Sequence, residues 1–406
     1  MKIVIIGGGA SGLVSAIYAK NKNNEVIVLE RNSRCAKKLL LTGNGKCNYW
    51  NSNIDYTNYI SDDLDVLKNI ITNENKKEAL NLFDSLGIIP YIKDGYYYPL
   101  SNKSSSITEA LILECKLREV EFINDFLVTD IKKEKDKFVI KSNAEEIIAD
   151  KVIVSTGSKA YPKTGSDGMG YDFASSFNHT IITPLPALTS LIVKRPLKNC
   201  KGVRCEVSLK LYEEDDFIKE EYGQMQITDK GISGICTFNL SGIINKGLNK
   251  NKKETIYVNF LPSLNLNEKE TITFLQNRES KITGRNIEQL LEALLDYHIV
   301  KVILKSSNIN SNKCFNELNK KEQSLLAKNL ISYPLEIVET DSFNHAQVCL
   351  GGIKLSEINP KTMQSLKEEN LYFTGEILDA AGPCGGYNLA FAFITGMIAG
   401  KGVNNA

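Results

Sequence analysis

The sequence predicts an α/β fold in which a Rossmann-like domain is interrupted by a β-rich, barrel-like domain that itself carries a helical insertion. Three observations support this prediction. Residues 3–19, IVIIGGGASGLVSAIYA, join an apolar strand to a helix through a glycine-rich turn. Short strand-like segments separated by turns fill residues 190–261, and apolar residues recur at helical spacing between residues 287 and 303.

The glycine-rich turn predicts a dinucleotide site. Gly7, Gly9 and Gly12 form a G-x-G-x-x-G pattern. In such a turn one glycine permits the bend, one lets the backbone approach a pyrophosphate, and one lets helix and strand pack closely. The next strand-like segment ends at Glu30, where a carboxylate accepts hydrogen bonds from an adenosine ribose. Glu30 argues against NADP in this pocket, because its charge would repel a 2′-phosphate.

Composition and charge limit the locations and the partners that we expect for the protein. The chain has 406 residues and a formal net charge of +1, so no global field attracts nucleic acid or an anionic membrane. Its longest apolar stretch, residues 389–399, is too short to cross a bilayer. Met1 leads directly into the first strand, without room for a signal peptide. We therefore expect a cytoplasmic protein with no nucleic-acid or membrane partner, in an oligomeric state that the sequence leaves open.

The nine cysteines predict reduced thiols and no metal site. None belongs to a C-x-x-C pair or to a metal-ligand spacing, and their number is odd. Scattered thiols of this kind are typical of a reducing compartment. They are Cys35, Cys47, Cys115, Cys200, Cys205, Cys236, Cys314, Cys349 and Cys384.

Residues 122–154 favour FAD over a nicotinamide cofactor. Their alternation of apolar and polar residues predicts three strands, FLVTDI, KFVIKS and ADKVIVS, before the small-residue turn at 155–157. FAD domains typically carry such an excursion from the sheet, whereas nicotinamide domains lack it. The pattern places Val128 on a strand, where its backbone can meet the adenine.

Two loops after the first βαβ unit leave alternatives open. The basic stretch 37–48, KKLLLTGNGKCN, is either a ligand-facing loop or a surface turn, and its position after the ribose-binding strand favours the cofactor. Residues 91–100 predict a hairpin around Asp94-Gly95. The three tyrosines at 96–98 either wall a substrate site or pack as an ordinary strand.

The C-terminal stretch predicts the flavin end of the site. A buried strand ends at Gly375-Glu376, and a turn through residues 385–388 leads into a final apolar helix. That helix either closes the sheet or turns its N-terminus to a flavin, where it favours negative charge on the reduced ring. We expect Asp379 to bind the ribityl or pyrophosphate region of FAD, and Asn388 to lie beside the ring.

The rest of the chain predicts three domains. An FAD-binding domain takes residues 1–188 and 346–406, a β-rich inserted domain takes 189–262 and 331–345, and a helical domain takes 263–330. The strand-like segments of the β-rich domain are SLIVKR, VSLKLY, QMQI, CTFNL and TIYVNFL. His298 lies on the apolar face of the helical segment, so we assign it no chemistry.

The chain resembles a known family, the bacterial aminoacetone-oxidase-like FAD flavoproteins, which include a bile-acid-inducible type. The matching motifs are GGGASGL, KLLLTGNGKCN, TGSKAYPKTGSDGMGY, GQMQITDKGISG, QVCLGGI and GEILDAAGPCGGYNLAFAFITG, in the family's order. The resemblance implies one FAD, a small-molecule substrate, and a substrate site between the FAD domain and the inserted domains. It implies cofactor contacts at Gly7, Gly9, Gly12, Glu30, Lys38, Thr42, Asn44, Val128, Gly375, Glu376, Asp379, Gly386 and Asn388.

Two departures from the family pattern bear on the substrate. Lys46 stands where the GNGRCN motif carries arginine, which removes a planar bidentate donor, and Ala381 stands where an aspartate usually precedes GP. The resemblance implies an FAD-dependent oxidoreductase that transfers hydride between flavin and a small organic substrate. It leaves open NAD(P)H-dependent reduction of an unsaturated compound and oxygen-dependent oxidation of a small amine, and it assigns no catalytic residue.

Other functions stay open at this point. No second G-x-G-x-x-G follows a later strand, so NAD(P)H would visit the flavin only transiently as electron donor. A flavin-dependent RNA-modifying enzyme is one alternative, although it calls for a basic, aromatic-bearing face. A flavoprotein without turnover is the other.

Overall fold

The computed structural model describes residues 1–405. Its strands are β1 (Lys2–Ile6), β2 (Glu25–Leu29), β3 (Trp50–Asn51), β4 (Pro90–Lys93), β5 (Tyr96–Pro99), β6 (Glu121–Ile123), β7 (Asp130–Glu134), β8 (Lys137–Lys141), β9 (Glu146–Ala149), β10 (Lys151–Val154), β11 (Ile181–Ala187), β12 (Leu191–Val193), β13 (Arg204–Glu213), β14 (Asp216–Ile227), β15 (Gly231–Ser233), β16 (Glu254–Asn259), β17 (Tyr333–Thr340), β18 (Val348–Ile353) and β19 (Leu371–Phe373).

Eleven α-helices accompany these strands within the described residues. They are α1 (Ala10–Ala19), α2 (Leu64–Ile70), α3 (Asn73–Ser85), α4 (Ser104–Leu117), α5 (Met169–Ser176), α6 (Ile235–Leu248), α7 (Glu268–Lys281), α8 (Ile287–Glu292), α9 (Tyr297–Ser306), α10 (Lys320–Ile331) and α11 (Tyr387–Gly402). None of the helices in residues 1–405 combines the length and the apolar character that crossing a membrane requires.

A five-stranded parallel sheet in the order β19-β10-β1-β2-β6 confirms the predicted Rossmann-type domain. Apolar, buried residues make up most of β19, β10, β1 and β2, because helices cover a parallel sheet on its faces, whereas the edge strand β6 is partly exposed. The first and last helices, α1 and α11, pack together through small residues. A Cβ atom at Gly396 would lie 2.4 Å from the Ser11 carbonyl oxygen, and one at Gly400 would lie 2.5 Å from that of Ser15.

The antiparallel sheet β7-β8-β9 forms the predicted excursion between β6 and β10. One detail of the prediction is wrong: Val128 does not lie on a strand. The ladder with β8 begins at Asp130, which pairs with Lys141, so Val128 belongs to the connection that precedes β7. Its side chain is buried.

Residues 186–345 contain a closed six-stranded barrel in the order β12-β15-β14-β13-β16-β17. All of its neighbouring strands are antiparallel, which confirms the predicted barrel-like domain. The segment CTFNL, predicted as a strand, instead belongs to helix α6. Cys236, Leu240 and Ile244 of α6 recur every four residues and are buried in the apolar core of this part of the chain.

The chain forms two compact units, residues 1–185 with 346–405, and residues 186–345. The first unit holds the parallel sheet with α1 and α11. The second holds the barrel together with α7–α10, which occupy the predicted helical segment 263–330. The division of the second unit into two domains remains a prediction.

Candidate functional site

The glycine-rich turn has the backbone geometry that a dinucleotide site requires. Gly7 has φ +103°, and a Cβ there would lie 2.6 Å from the Ser155 carbonyl oxygen. A Cβ at Gly12 would lie 2.0 Å from the Gly7 carbonyl oxygen, so this position admits only glycine. Gly9 differs, because no heavy atom of the described residues other than Gly9 and its two chain neighbours lies within 4 Å of its Cβ position. Space for a ligand therefore opens at Gly9, at the start of α1.

Glu30 lies beside the turn at the end of β2. Its Oε2 accepts a hydrogen bond from the Gly8 N–H at 3.0 Å, and its Oε1 accepts from the backbone and side-chain nitrogens of Asn32 at 2.8 and 2.7 Å. A carboxylate oxygen offers about two acceptor positions. One position on Oε2 therefore remains for a ribose hydroxyl.

The backbone of Val128 is available to an adenine. Its N–H and C=O make no hydrogen bond within residues 1–405, although the residue is buried. A buried backbone group without a partner costs free energy, so such groups are almost always paired. The Watson–Crick edge of an adenine offers both an acceptor and a donor, and would pair both groups.

Lys38 and Glu376 form an ion pair, with 2.6 Å between Nζ and Oε2, although 338 residues separate them in the chain. Lys38 Nζ also donates to the Ala160 carbonyl at 3.3 Å, and the Ser158 hydroxyl donates to Glu376 Oε2 at 3.4 Å. The structure thus brings two predicted site residues together. Ser158, which sequence reasoning left within a loop, joins them.

The basic stretch after β2 is more ordered than the predicted loop. Residues Leu39–Gly45 form a 3-10 run whose backbone leaves helical geometry at Thr42 and turns left-handed at Gly43 and Asn44, with φ +57° and +54°. The Thr42 hydroxyl donates to the Leu39 carbonyl at 2.7 Å, and Asn44 is exposed. Contacts of Thr42 and Asn44 with FAD remain predictions.

Three left-handed glycines, Gly375, Gly385 and Gly386, lie on the path from β19 to α11. Gly375 has φ +75°, donates its N–H to the Thr395 hydroxyl at 2.9 Å, and has Ser11 Oγ 2.5 Å from its Cβ position. Gly386 has φ +93° and precedes α11, and a Cβ there would lie 2.5 Å from the Trp50 carbonyl oxygen. Both positions therefore require glycine. We call residues 382–388 the mouth.

The side chains of Asp379 and Asn388 form hydrogen bonds that stabilise the backbone in and near the mouth. Asp379 is buried and accepts hydrogen bonds from the Asp62 N–H at 2.9 Å and the Ser61 hydroxyl at 3.4 Å. Asn388 Oδ1 accepts from the Gly382 N–H at 2.8 Å, and its Nδ2 donates to the Gly382 carbonyl at 2.9 Å. Their predicted contacts with FAD are compatible with these roles and remain predictions.

The hairpin β4-β5 forms as predicted, and its alternation separates the three tyrosines. Tyr96 pairs with Asn51 of β3, and Asn51 Nδ2 donates to the Gly385 carbonyl at 2.9 Å. Tyr96 therefore faces the mouth. Tyr97 points to the opposite face and packs edge-on against Tyr49 at 6.2 Å between ring centroids.

The residues present fit FAD. Gly9 and Glu30 would hold the pyrophosphate and the ribose, and Val128 the adenine. Gly375 and Gly386 give the backbone path that the flavin end needs. No group of three or more His, Cys, Asp and Glu side chains in residues 1–405 is arranged to hold a metal ion.

A model of the family described as HI0933-like protein Rossmann domain matches residues 1–402. The chain belongs to this family. Membership confirms the predicted FAD flavoprotein family and the predicted class of enzyme, an FAD-dependent oxidoreductase. The chain is 35% identical over 403 residues to the 3-dehydro-bile acid delta(4,6)-reductase of Clostridium scindens, covering 98% of each protein.

Two further comparisons extend the likeness. The chain is 24% identical to the ribosomal RNA dihydrouridine synthase of Escherichia coli, over 96% of this chain and 94% of that protein. A solved structure, the 3-ketosteroid-delta4-(5alpha)-dehydrogenase of Rhodococcus jostii RHA1, has a TM-score of 0.51 at 13% identity, covering 100% of this chain and 96% of that one. That likeness supports the fold.

Substitutions at the mouth test the two predicted side-chain roles. Asn388→Ala removes both hydrogen bonds to Gly382, which should cost about 1–3 kcal/mol of stability, and it should lower the flavin potential with little loss of FAD. Asp379→Ala should instead weaken FAD binding, because it frees the segment that begins at Ser61. A redox titration and an FAD dissociation measurement on both variants check this. Loss of FAD from Asn388→Ala alone would reverse the two roles.

Proposed function

We propose that this chain reduces a carbon–carbon double bond conjugated to a carbonyl group, with electrons that NAD(P)H delivers to its FAD. The observation that carries the proposal is the 35% identity over 98% of both chains to a reductase named for a 3-dehydro-bile acid. A 3-oxo group beside a double bond at position 4 is a conjugated enone. The double bond that a dihydrouridine synthase saturates is also conjugated to a carbonyl, so both relatives' names imply one type of reaction.

The chain's own residues support a flavin-dependent reduction. Bound FAD supplies the hydride. Gly9, Glu30 and Val128 would hold the pyrophosphate, the ribose and the adenine, and the first turn of α11 offers backbone N–H groups and the positive end of its dipole at the mouth. Positive potential at this point favours negative charge on a reduced ring or on a substrate oxygen.

A small molecule is the proposed substrate, with no nucleic-acid or membrane partner. The relative with a small-molecule name is 35% identical, whereas the RNA-modifying relative is 24% identical. The net charge of +1 also weighs against RNA, because phosphate contacts dominate RNA affinity. The relative's name nevertheless makes reduction of uridine in RNA the second candidate.

Anaerobic mixing tests the proposal. We expect NADH or NADPH to bleach the flavin, and cyclohexenone or a 3-oxo-delta4 steroid to restore its colour. Reoxidation by a ribosomal RNA fragment but by neither enone would favour the second candidate. Bleaching by aminoacetone, with peroxide formed on admitting oxygen, would replace the reductase with an amine oxidase.

We also propose a cytoplasmic location, which predicts free thiols. None of the nine cysteines forms a disulfide within residues 1–405. Burial raises the pKa of the Cys35 and Cys47 thiols to about 12, so both should react slowly in the native protein. Ellman titration should count nine thiols after anaerobic denaturation of fresh protein. A lower count would contradict the prediction.

Two cysteines of the predicted cofactor loops have no assigned role in turnover. Cys47→Ser and Cys384→Ser should each leave the steady-state rate within about tenfold, or roughly 1.4 kcal/mol of barrier. Cys47 is buried and Cys384 is partly exposed in the mouth. A much larger loss from Cys384→Ser, at full FAD content, would bring that thiol into the mechanism.

A further inference from the structure

Two phenol side chains border the mouth. A Cβ at Gly385 would lie 2.4 Å from Cε1 of Tyr96, so the Tyr96 ring rests on the backbone of the turn. Tyr387 follows this turn as the first residue of α11. Burial raises the pKa of the Tyr387 phenol, and the neighbouring Tyr96 hydroxyl raises it further. The Tyr96 and Tyr387 side chains therefore both border the turn at Gly385-Gly386.

The backbone around both rings is fixed. The Tyr59 hydroxyl donates to the Tyr387 carbonyl at 2.8 Å, and the Tyr59 ring meets the Tyr387 ring edge-on at 6.3 Å between centroids. On the other side, Asn51 ties β3 to the Gly385 carbonyl at 2.9 Å. A group held on a rigid frame can deliver a proton to a defined position.

Neither hydroxyl is used by the fold. Within residues 1–405 the Tyr96 and Tyr387 hydroxyls make no hydrogen bond, and both side chains are half-buried. By contrast, the Tyr59 hydroxyl, at the inner side of the same turn, is engaged. Free hydroxyls at the rim of a cofactor site are available to a bound substrate.

We propose that Tyr387, positioned by Tyr96, donates the proton in the reduction proposed above, on which this inference rests. Hydride from the reduced flavin bonds to the β carbon of the enone, and the double-bond electron pair moves onto the α carbon and the carbonyl oxygen. The α carbon then takes the phenol proton as the O–H bond of Tyr387 breaks. The substrate gains two electrons and two hydrogens, and the flavin is oxidised.

After the transfer, the Tyr387 phenolate takes up a proton from solvent along a path that passes Tyr96. The face of β5 that carries Tyr96 continues over Tyr98 to Tyr91 and Lys93 of β4, and all four residues of β4 are exposed. A phenol suits this step because it stays protonated at neutral pH and can still protonate a strongly basic enolate carbon.

Three isosteric variants test the assignment: Tyr387→Phe, Tyr96→Phe, and the control Tyr97→Phe on the opposite face of β5. Each should keep full FAD content. After photoreduction, mixing with cyclohexenone should reoxidise Tyr387→Phe about 100-fold more slowly than wild type, Tyr96→Phe about tenfold more slowly, and Tyr97→Phe at the wild-type rate.

A second readout does not depend on turnover. Raising the pH of the oxidised holoenzyme should produce a long-wavelength charge-transfer band between the Tyr387 phenolate and the flavin, absent from Tyr387→Phe. Wild-type reoxidation by the enone with no slowing in Tyr387→Phe would overturn the proton-donor assignment alone. A wild type that no enone reoxidises would overturn the proposed function and this inference with it.

Discussion

Replacing Gly9 by valine should abolish FAD binding while the apoprotein stays folded. The backbone of Gly9, with φ −80° and ψ −169°, suits any residue, and apart from Gly9 and its two chain neighbours no described heavy atom lies within 4 Å of its Cβ position. The new side chain would occupy the space where the pyrophosphate approaches the turn. We expect the FAD dissociation constant to rise at least about 100-fold, or roughly 2.7 kcal/mol, with the apoprotein melting temperature nearly unchanged.

Gly12→Val is the matched comparison. Its Cβ would lie 2.0 Å from the Gly7 carbonyl oxygen, so this variant should destabilise the apoprotein itself as well as lose FAD. Calorimetry of both apoproteins and fluorescence of released FAD separate the two effects. A Gly9→Val protein that bound FAD as tightly as wild type would show that this turn does not hold the pyrophosphate.

The stability of Glu254→Gln relative to wild type should be higher above pH 8 than at pH 5. The Glu254 side chain is 1% exposed, and its two oxygens make no hydrogen bond within residues 1–405. A Cβ at Gly247 would lie 1.7 Å from Glu254 Oε1 and 2.9 Å from Glu213 Oε2, so both carboxyl groups crowd one point of α6. Burial, and then the Glu213 charge, raise the pKa of Glu254 to about 8.

The sign of this pH dependence of stability follows from proton binding by Glu254. Between its ordinary pKa of 4.5 and the folded value of about 8, the folded protein holds a proton that the unfolded chain has lost. Stability from this group is complete below pH 4.5 and is lost as the pH rises towards 8. The loss is on the order of a few kcal/mol, or several degrees in melting temperature, and glutamine abolishes it.

A melting series from pH 5 to pH 8.5 checks this prediction. Glu254→Gln also buries an amide, and the free-energy cost of that amide is independent of pH. The decisive quantity is therefore the pH dependence of the difference in stability between Glu254→Gln and wild type. Glu339→Gln, at an exposed carboxylate on β17, serves as control and should give the same difference throughout. A pH-independent difference for Glu254→Gln would contradict the assignment.

Local sterics explain why the first βαβ unit was predictable. The buried strand, the turn and α1 follow one another within residues 2–19, and each glycine role depends on atoms close by. The pairing of Lys38 with Glu376 could not be predicted, because it depends on how the fold brings the segment after β2 to the residues that follow β19. Each residue was predicted as a cofactor contact, but no pattern in the sequence links the two.

The two wrong strand assignments have a common cause. Val128 and the segment 236–240 both lie in short apolar runs, which suit a strand and a buried helix alike. The actual state depends on partners far along the chain: β7 pairs with β8 only from Asp130 onward, and α6 buries Leu240 against the barrel. Local propensity gives no information about where a ladder ends.

Because α1 packs against α11, the unit that contains both helices can finish folding only after α11 has been synthesised. The dinucleotide motif leaves the ribosome before the barrel unit, whereas β19, an edge strand of the sheet, and α11, which covers α1 through Gly396 and Gly400, leave it after that unit. The barrel unit, residues 186–345, is one continuous segment and is available to fold before them. FAD therefore meets a complete binding site only after α11 has been translated, and truncation within α11 should leave the glycine-rich turn unable to hold its cofactor.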